Sequence, residues 1–222
     1  MPLSTRATDY LRQQEWRPDV RHTPEVLAAA FDQAGLVLSE PLRTFQRTYA
    51  GLVVYAALEP ICFGLLHPHV HKRWFAPAQT TYQLDPHEPD AEVTVYHFGC
   101  AMTGYQEYFT LDEEGGYYEG WKKHASSFDG VVEDLAVFAE IHAVGYAQRY
   151  IRELDYERLS AEVLRTELGV VDYPSFPEDV IFWGGNGAVV VRRSPTELRL
   201  FAREVLDPAL LNRCDELIRL HA

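Results

Sequence analysis

Three histidines stand at alternate positions in the segment HPHVH, as His67, His69 and His71. In an extended chain alternate side chains point to the same side. Imidazole nitrogens are ligands of zinc and copper in many proteins. One interpretation of the sequence is therefore a metal-dependent hydrolase that uses His67 and His69, with His97 as a further ligand.

The spacing of these histidines argues against that interpretation. Alternate side chains of a strand lie ~6.5 to 7 Å apart, whereas each ligand nitrogen must come within about 2.1 Å of a zinc ion. Three consecutive ligands would need a bend at Pro68, and the neighbouring Lys72 and Arg73 would oppose a cation. The segment is more typical of a polar loop or edge strand, and we expect no metal or other cofactor.

Other catalytic patterns are weak in this chain. It contains no Gly-x-Ser-x-Gly motif, and its cysteines, Cys62, Cys100 and Cys214, stand far apart. The glycines of FWGGNGAVVV lack the lysine and the serine or threonine of a phosphate-binding loop, and a hairpin turn accounts for them. The sequence predicts a protein that is not an enzyme and has no catalytic residues.

Acidic residues are concentrated in one part of the chain. The formal net charge is −13, and residues 81–140 carry 2 Lys/Arg against 13 Asp/Glu. This field repels phosphate backbones and attracts basic proteins, so we expect a protein partner and no nucleic acid. The alternative is a solvated acidic surface that only keeps the protein soluble.

The segment GYQEYFTLDEEGGYYEGW predicts a β-hairpin with an acidic tip, because two alternating patterns flank a DEEGG turn. Carboxylates suit the Arg and Lys side chains with which a nuclease holds phosphate, and aromatic side chains are common interface anchors. In the alternative interpretation the aromatic side chains face the protein's own core. The predicted partner-binding residues lie in the hairpin and in the segment before it. They are Asp85, Glu88, Asp90, Glu107, Asp112, Glu113, Glu114, Tyr117, Glu119 and Trp121.

Periodicity and capping signals predict an α+β fold, since helices and mostly antiparallel strands occur without a βαβ alternation. The predicted helices cover residues 5–15, 24–34, 40–50, 128–150 and 156–168, with one or two more in 195–220. The predicted strands cover residues 52–58, 74–84, 92–98, the hairpin, and a strand-turn-strand pair in 181–193.

Trp16, Pro18 and Arg21 are interpreted as structural residues. Proline fixes φ, the indole covers neighbouring helices, and the guanidinium can donate to loop carbonyls. Gly51 ends the third helix and begins the first long strand.

Several motifs in order resemble the third subfamily of the SUKH superfamily. These are EWRPDVR at 15–21, AG at 34–35 and FQRTYAGLVV at 45–54, followed by HFGCAMTGYQEYF, LDEEGGYYEG and SFDGVVEDLAVF. The resemblance covers residues from about 5 to 145, and its weight comes mainly from the order of the motifs.

The resemblance implies one α+β domain over residues 1–222, with a central twisted, mainly antiparallel sheet packed against helices. Residues 150–222, outside the resemblance, would form a helix-hairpin-helix extension on the same domain. Bacterial SUKH proteins neutralise toxins, often nucleases or deaminases, by binding them. The expected protein is thus a cytoplasmic immunity protein with a basic toxin as partner and no membrane association. A regulatory scaffold with a different partner is the alternative within the family.

Overall fold

The protein has an α+β fold of antiparallel sheets packed against helices. The computed structural model describes residues 2–56, 59–66, 77, 79–85, 88–101, 109–119, 122–153, 161–168, 171–172, 181–184, 189–193 and 197–220. None of the helices in these ranges combines the length and the apolar composition that crossing a membrane requires.

The helices are α1 (Thr5–Arg12), α2 (Pro24–Ala34), α3 (Glu40–Tyr49), α4 (Phe128–Ala143), α5 (Ala161–Leu168) and α6 (Pro208–Leu220), with a short 3-10 turn at Pro18–Val20. The strands are β1 (Glu15–Trp16), β2 (Leu52–Ala56), β3 (Glu59–Phe63), β4 (Gln79–Asp85), β5 (Glu88–Ala101), β6 (Phe109–Asp112), β7 (Tyr117–Glu119), β8 (Lys122–Ala125), β9 (Ala147–Glu153), β10 (Val171–Asp172), β11 (Ile181–Gly184), β12 (Val189–Arg193) and β13 (Glu197–Ala202).

The chain forms two compact units. One, called here the hairpin unit, is Leu11–Phe128, and the second unit combines Met1–Tyr10 with Asp129–Ala222. One boundary between the units therefore lies at the start of α4.

Capping side chains define the helices of the hairpin unit, as the sequence predicts. The Thr23 hydroxyl accepts a hydrogen bond from the Val26 amide at the start of α2, and the Ser39 hydroxyl does the same for Leu42 at the start of α3. Gly35 follows α2 with a φ of 69°, the left-handed conformation that glycine adopts without strain.

Eight of the described strands form the sheet of the hairpin unit, and all their pairings are antiparallel. Their order is β1-β2-β3-β5-β6-β7-β8, and β4 also pairs with β5. The 14-residue β5 thus has β3 and β4 along one side and β6 along the other.

An aromatic cluster joins α3 to this sheet. The Phe128 ring makes edge contacts with the rings of Phe45, Tyr49 and Phe63, at centroid distances of 5.0, 4.8 and 5.1 Å. All four side chains are buried. Burial of one such side chain contributes about 1.5–3 kcal/mol, so the cluster is a major source of stability for this unit.

The segment from Trp16 to Arg21 makes its contacts within the hairpin unit. The Arg21 guanidinium lies 4.9 Å from the centre of the Trp16 ring and donates to the Ala50 carbonyl at 3.2 Å. The Trp16 indole nitrogen donates to the Leu11 carbonyl at 3.3 Å. Pro18 opens the 3-10 turn. The segment therefore contacts the end of α1 through Trp16 and the end of α3 through Arg21.

Gly51 connects this segment to the sheet. Its carbonyl accepts from the Arg17 amide at 2.6 Å, and its own amide donates to the Phe63 carbonyl at 2.8 Å. Its φ is 84°, and a Cβ there would lie 2.2 Å from the Arg17 carbonyl oxygen. Only glycine fits this junction, both for its backbone conformation and for space.

The second unit has its own sheet, ordered β10-β11-β12-β13-β9, with antiparallel pairings. Leu198, Leu200 and Ala202 of β13 share a buried cluster with Cys214 and Leu217 of α6. Phe201, the remaining buried residue of β13, instead packs with Val137 and Ile141 of α4. Helices α4 and α6 therefore cover opposite faces of this strand.

Two predictions for this unit were wrong. The helix expected to run to Tyr150 ends at Ala143, because the amides of Gly145 and Tyr146 turn back to the carbonyls of His142 and Ile141. The helix expected from residue 195 is preceded by β13, in which alternate leucines show a two-residue period. The predicted strand pair at 181–193 is confirmed as β11 and β12.

A buried carboxylate holds the amino-terminal segment in the second unit. Glu133 of α4, which is 7% exposed, accepts from the Ser4 amide at 2.6 Å and from the Ser4 hydroxyl at 2.7 Å. The same hydroxyl accepts from the Ala7 amide at 3.1 Å and so caps α1. Glu133 thereby attaches Ser4, the residue that caps α1, to α4.

Replacement of Gly51 by alanine should destabilise the hairpin unit by about 3 kcal/mol or more, because left-handed strain and overpacking act together. Gly35→Ala is the matched control, since a Cβ at Gly35 meets nothing within 4 Å; it should cost only the left-handed strain, about 1–2 kcal/mol. Urea unfolding of both variants measures the two costs. Equal costs would show that the contact with Arg17 does not constrain this position.

Candidate partner-binding hairpin

The predicted acidic tip is a tight turn between β6 and β7, and Asp112–Gly116 are called here the acidic turn. The strands pair with Leu111 opposite Tyr117 and Thr110 opposite Tyr118. The Asp112 amide donates to the Gly116 carbonyl at 2.9 Å, and the Gly115 amide donates to the Asp112 carbonyl at 3.1 Å. Gly115 has a φ of 87°, which completes the reversal.

Asp112 lies inside the acidic turn, with its side chain buried at 3% exposure. One carboxylate oxygen accepts from the Gly116 amide at 2.6 Å, and the other pairs with the Lys123 ammonium at 3.2 Å. A Cβ at Gly116 would lie 2.6 Å from the second oxygen. The prediction that Asp112 is part of an accessible binding surface is therefore corrected, because its carboxylate is used to shape the turn.

The acidic turn is also attached to the start of α3. The Ser39 hydroxyl donates to the Glu113 carbonyl at 2.6 Å while it caps α3 by accepting from the Leu42 amide at 3.4 Å. A Cβ at Gly115 would lie 3.1 Å from the Cβ of Pro41. The turn is thus fixed from inside by Asp112 and from outside by Ser39.

Tyr117 belongs to the core of the hairpin unit. It is 5% exposed, and its ring stacks on that of Phe109 with 6.4 Å between centroids. Tyr118 is equally buried. For Tyr117 the structure corresponds to the alternative in which the hairpin aromatics face the core, so this residue is removed from the predicted binding surface.

Glu113 and Glu114 are the exposed acids of the acidic turn. Burial raises the pKa of the Tyr96 phenol, and the negative charge of Glu113 raises it further. The phenol therefore stays neutral at ordinary pH. The two adjacent carboxylates are exposed to solvent.

The remaining predicted partner residues lie along neighbouring strands or outside the described ranges. Asp85 ends β4, Glu88 and Asp90 belong to β5, and Glu119 ends β7. Glu92 of β5 is exposed and adds an acid that the sequence analysis did not select. Glu107 and Trp121 lie outside the described residues.

Of the histidines singled out in the sequence, His67, His69 and His71 lie outside the described residues. His97 is half-buried on β5 opposite Thr110, and burial lowers its pKa. Within the described ranges, no three His, Cys, Asp or Glu side chains form a group that could hold a metal ion.

A second polar cluster, which the sequence analysis missed, lies between β9 and α6. The Tyr150 hydroxyl donates to a carboxylate oxygen of Asp215 at 2.8 Å, and the Arg152 guanidinium donates to the same oxygen at 3.2 Å. Arg152 also lies over the Tyr150 ring, 4.9 Å from its centre. Burial, and then the bond to Asp215, raise the pKa of Tyr150.

Cys214 adjoins this cluster but has no reactive character. Burial, followed by the charge of Asp215, raises the pKa of its thiol to about 11. A thiol that stays protonated is a poor nucleophile. The cluster fastens α6 to β9 through the Asp215 carboxylate, which accepts from both Tyr150 and Arg152.

Comparison with protein-family models, with curated proteins and with solved structures finds no match to this chain.

Asp112→Ala should lower the free energy of unfolding by about 1–3 kcal/mol, because it leaves the buried Gly116 amide without an acceptor. Glu114→Ala, two residues further along the turn and exposed, should change the free energy of unfolding by less than about 0.5 kcal/mol. Urea unfolding compares the two variants. A similar effect for both would mean that Asp112 does not organise the turn.

Tyr150→Phe should lower stability at neutral pH by about 1 kcal/mol through loss of the bond to Asp215. The folded pKa of Tyr150 is raised above the 10.0 of the unfolded chain. The unfolded chain therefore releases this proton first, and the contribution of Tyr150, complete below pH 10, declines as pH rises further. Unfolding at about pH 8 and about pH 11 should show the gap between wild type and variant narrowing. A gap that does not depend on pH would contradict this assignment.

Proposed function

We propose that this protein is an immunity-type inhibitor that binds a basic toxin of the nuclease or deaminase class and performs no chemistry of its own. The observation that carries the proposal is the acidic turn, in which Glu113 and Glu114 are exposed on a backbone fixed by Asp112 and Ser39. The resemblance to the SUKH superfamily supports the same class of partner.

Rigidity of the acidic turn favours binding. Ordering a flexible loop on association costs conformational entropy, whereas a turn already held by hydrogen bonds loses little. The bonds to the Gly116 amide and from the Ser39 hydroxyl measure 2.6 Å each. The two glutamates can thus be presented to a partner in one geometry without a large entropic cost.

Electrostatics favours a cationic partner. Nucleases bind phosphate through Arg and Lys, and a pair of adjacent carboxylates offers those side chains an alternative anion. The turn lies within the acidic stretch of residues 81–140, with 2 Lys/Arg against 13 Asp/Glu. An extended negative field accelerates encounter with a positive surface and repels nucleic acid.

The direct test takes any large secreted protein encoded beside this chain and uses its carboxy-terminal module. Expression of that module alone should arrest growth of a bacterial host, and co-expression with this protein should restore it. The purified pair should form a complex, and the module's nuclease or deaminase activity should fall in proportion to the complex formed. Growth arrest that persists on co-expression, or an adjacent module without toxicity, would overturn the proposal.

Charge reversal tests the surface itself. The double variant Glu113→Lys/Glu114→Lys should slow association with the toxin module by about tenfold at low ionic strength, because attraction becomes repulsion. The difference should shrink at about 0.5 M salt as screening shortens the range of the field. Stopped-flow fluorescence measures the association rate constant directly.

The matched control is Asp32→Lys/Glu204→Lys, which changes the net charge equally at two exposed acids outside the acidic turn. A local binding surface predicts a smaller effect from this control than from the turn variant. If both variants slow association equally, the net charge of the protein matters and the acidic turn is not the docking surface.

A further inference from the structure

Among the described strands, β5 has one edge that is unpaired beside the acidic turn, called here the open edge. On one side it pairs with β4, from Glu88 opposite Asp85 to Tyr96 opposite Gln79. On the other side β6 begins to pair only at Val95, which lies opposite Asp112. Over residues 88–94 none of the described strands pairs with that second side. The β4–β5 hairpin therefore extends past the end of β6 with one edge unpaired among the described strands.

The turn geometry shows which backbone groups face this edge. The Asp112 amide and carbonyl bond to Gly116 and Gly115, toward β7, so the pair Val95–Asp112 is not hydrogen-bonded. Backbone groups of successive residues alternate sides, and the amides and carbonyls of Glu92 and Thr94 therefore point to the open edge.

The contact between Thr81 of β4 and Thr94 of β5 is consistent with this alternation. Thr81 and Thr94 form a pair whose hydroxyl oxygens are 3.1 Å apart. Such close approach is typical of pairs that do not exchange backbone hydrogen bonds, because their side chains lie nearer to each other. Thr94 accordingly directs its amide and carbonyl away from β4.

Charge decides which occupant suits the edge. Residues 79–94 contain Asp85, Glu88, Asp90 and Glu92 and no Lys or Arg. Glu92, Glu113 and Glu114 are exposed, the latter two where β6 ends. A second copy of this chain would bring like charges together, which opposes edge-to-edge pairing. A strand that carries Lys or Arg would meet opposite charges.

We propose that the open edge of β5 at Glu92 and Thr94 accepts an extended, Lys- or Arg-bearing segment of the protein partner as an added strand. Main-chain hydrogen bonds supply affinity that does not depend on sequence, and the surrounding carboxylates select the basic segment. This inference rests on the proposed function and specifies how the basic partner is held.

The first experiment uses a peptide of about eight alternating Lys and Thr residues, long enough to form one strand. Amide hydrogen exchange, read by NMR, should slow at Glu92 and Thr94 when the peptide is added and not when a Glu-Thr peptide of equal length is added. Unprotected Glu92 and Thr94 amides at saturating Lys-Thr peptide would overturn the inference. This measurement needs no variant.

The second experiment removes one backbone donor. Thr94→Pro deletes the amide that faces the open edge and leaves the β4 ladder intact, since proline is tolerated where the amide is unpaired. It should weaken Lys-Thr peptide binding by roughly tenfold. Thr94→Val retains the amide and loses only the hydroxyl, and it should bind like wild type. Equal binding by wild type and Thr94→Pro would contradict strand addition.

Binding of the two variants to the toxin module distinguishes failure of this inference from failure of the proposed function. If Glu113→Lys/Glu114→Lys slows association while Thr94→Pro leaves affinity unchanged, the partner docks on the acidic turn and strand addition is wrong. If neither variant changes binding to the toxin module, the acidic turn is not the binding surface and the proposed function is contradicted. Loss of affinity in both variants supports both.

Discussion

The buried carboxylate of Asp112 is the interaction on which the candidate site depends. It accepts the Gly116 amide with one oxygen and meets Lys123 with the other, at 3% exposure. A hydrogen bond from a backbone amide to a charged group is stronger than one between neutral groups, and it is stronger still where water is excluded. Because Asp112 closes the turn from inside, the two glutamates that follow can remain exposed without loosening it. The backbone amide and carbonyl of Asp112 point toward β7, and among the described strands none pairs with the same side of β5 over residues 88–94.

The same use of buried polar groups recurs in both units. In the second unit Glu133 receives the amide and hydroxyl of Ser4 and so fixes the start of α1. In the hairpin unit the buried Gln46 donates to the Val20 carbonyl at 3.3 Å and accepts from the Leu65 amide at 2.8 Å. Each group satisfies backbone atoms that would otherwise be buried without partners, at a cost of about 1–3 kcal/mol each. These buried side chains hold neighbouring backbone segments in place.

Two buried phenols and one buried thiol stay protonated near neutral pH. The phenols of Tyr96 and Tyr150 and the thiol of Cys214 all have raised pKa values, with burial as the first cause. Groups held neutral in this way neither attack a substrate nor exchange protons readily near neutral pH. Exposed carboxylates on a rigid turn are instead suited to long-range attraction and to docking on cations, which is consistent with the proposed inhibitor.

Local signals were sufficient for α2, α3 and the hairpin, because Thr23, Ser39 and the DEEGG turn act on backbone groups within a few residues of themselves. The sequence alone therefore determined the α+β class, these boundaries and the acidic bias. It could not distinguish Asp112 from Glu113 and Glu114, since three adjacent carboxylates carry the same chemistry until the folded turn buries the first against Gly116 and Lys123 and leaves the other two exposed. Strand β13 and the true end of α4 also depended on tertiary structure. Alternating leucines become a strand where helices cover both faces of the sheet, and that burial is a property of residues distant in the chain.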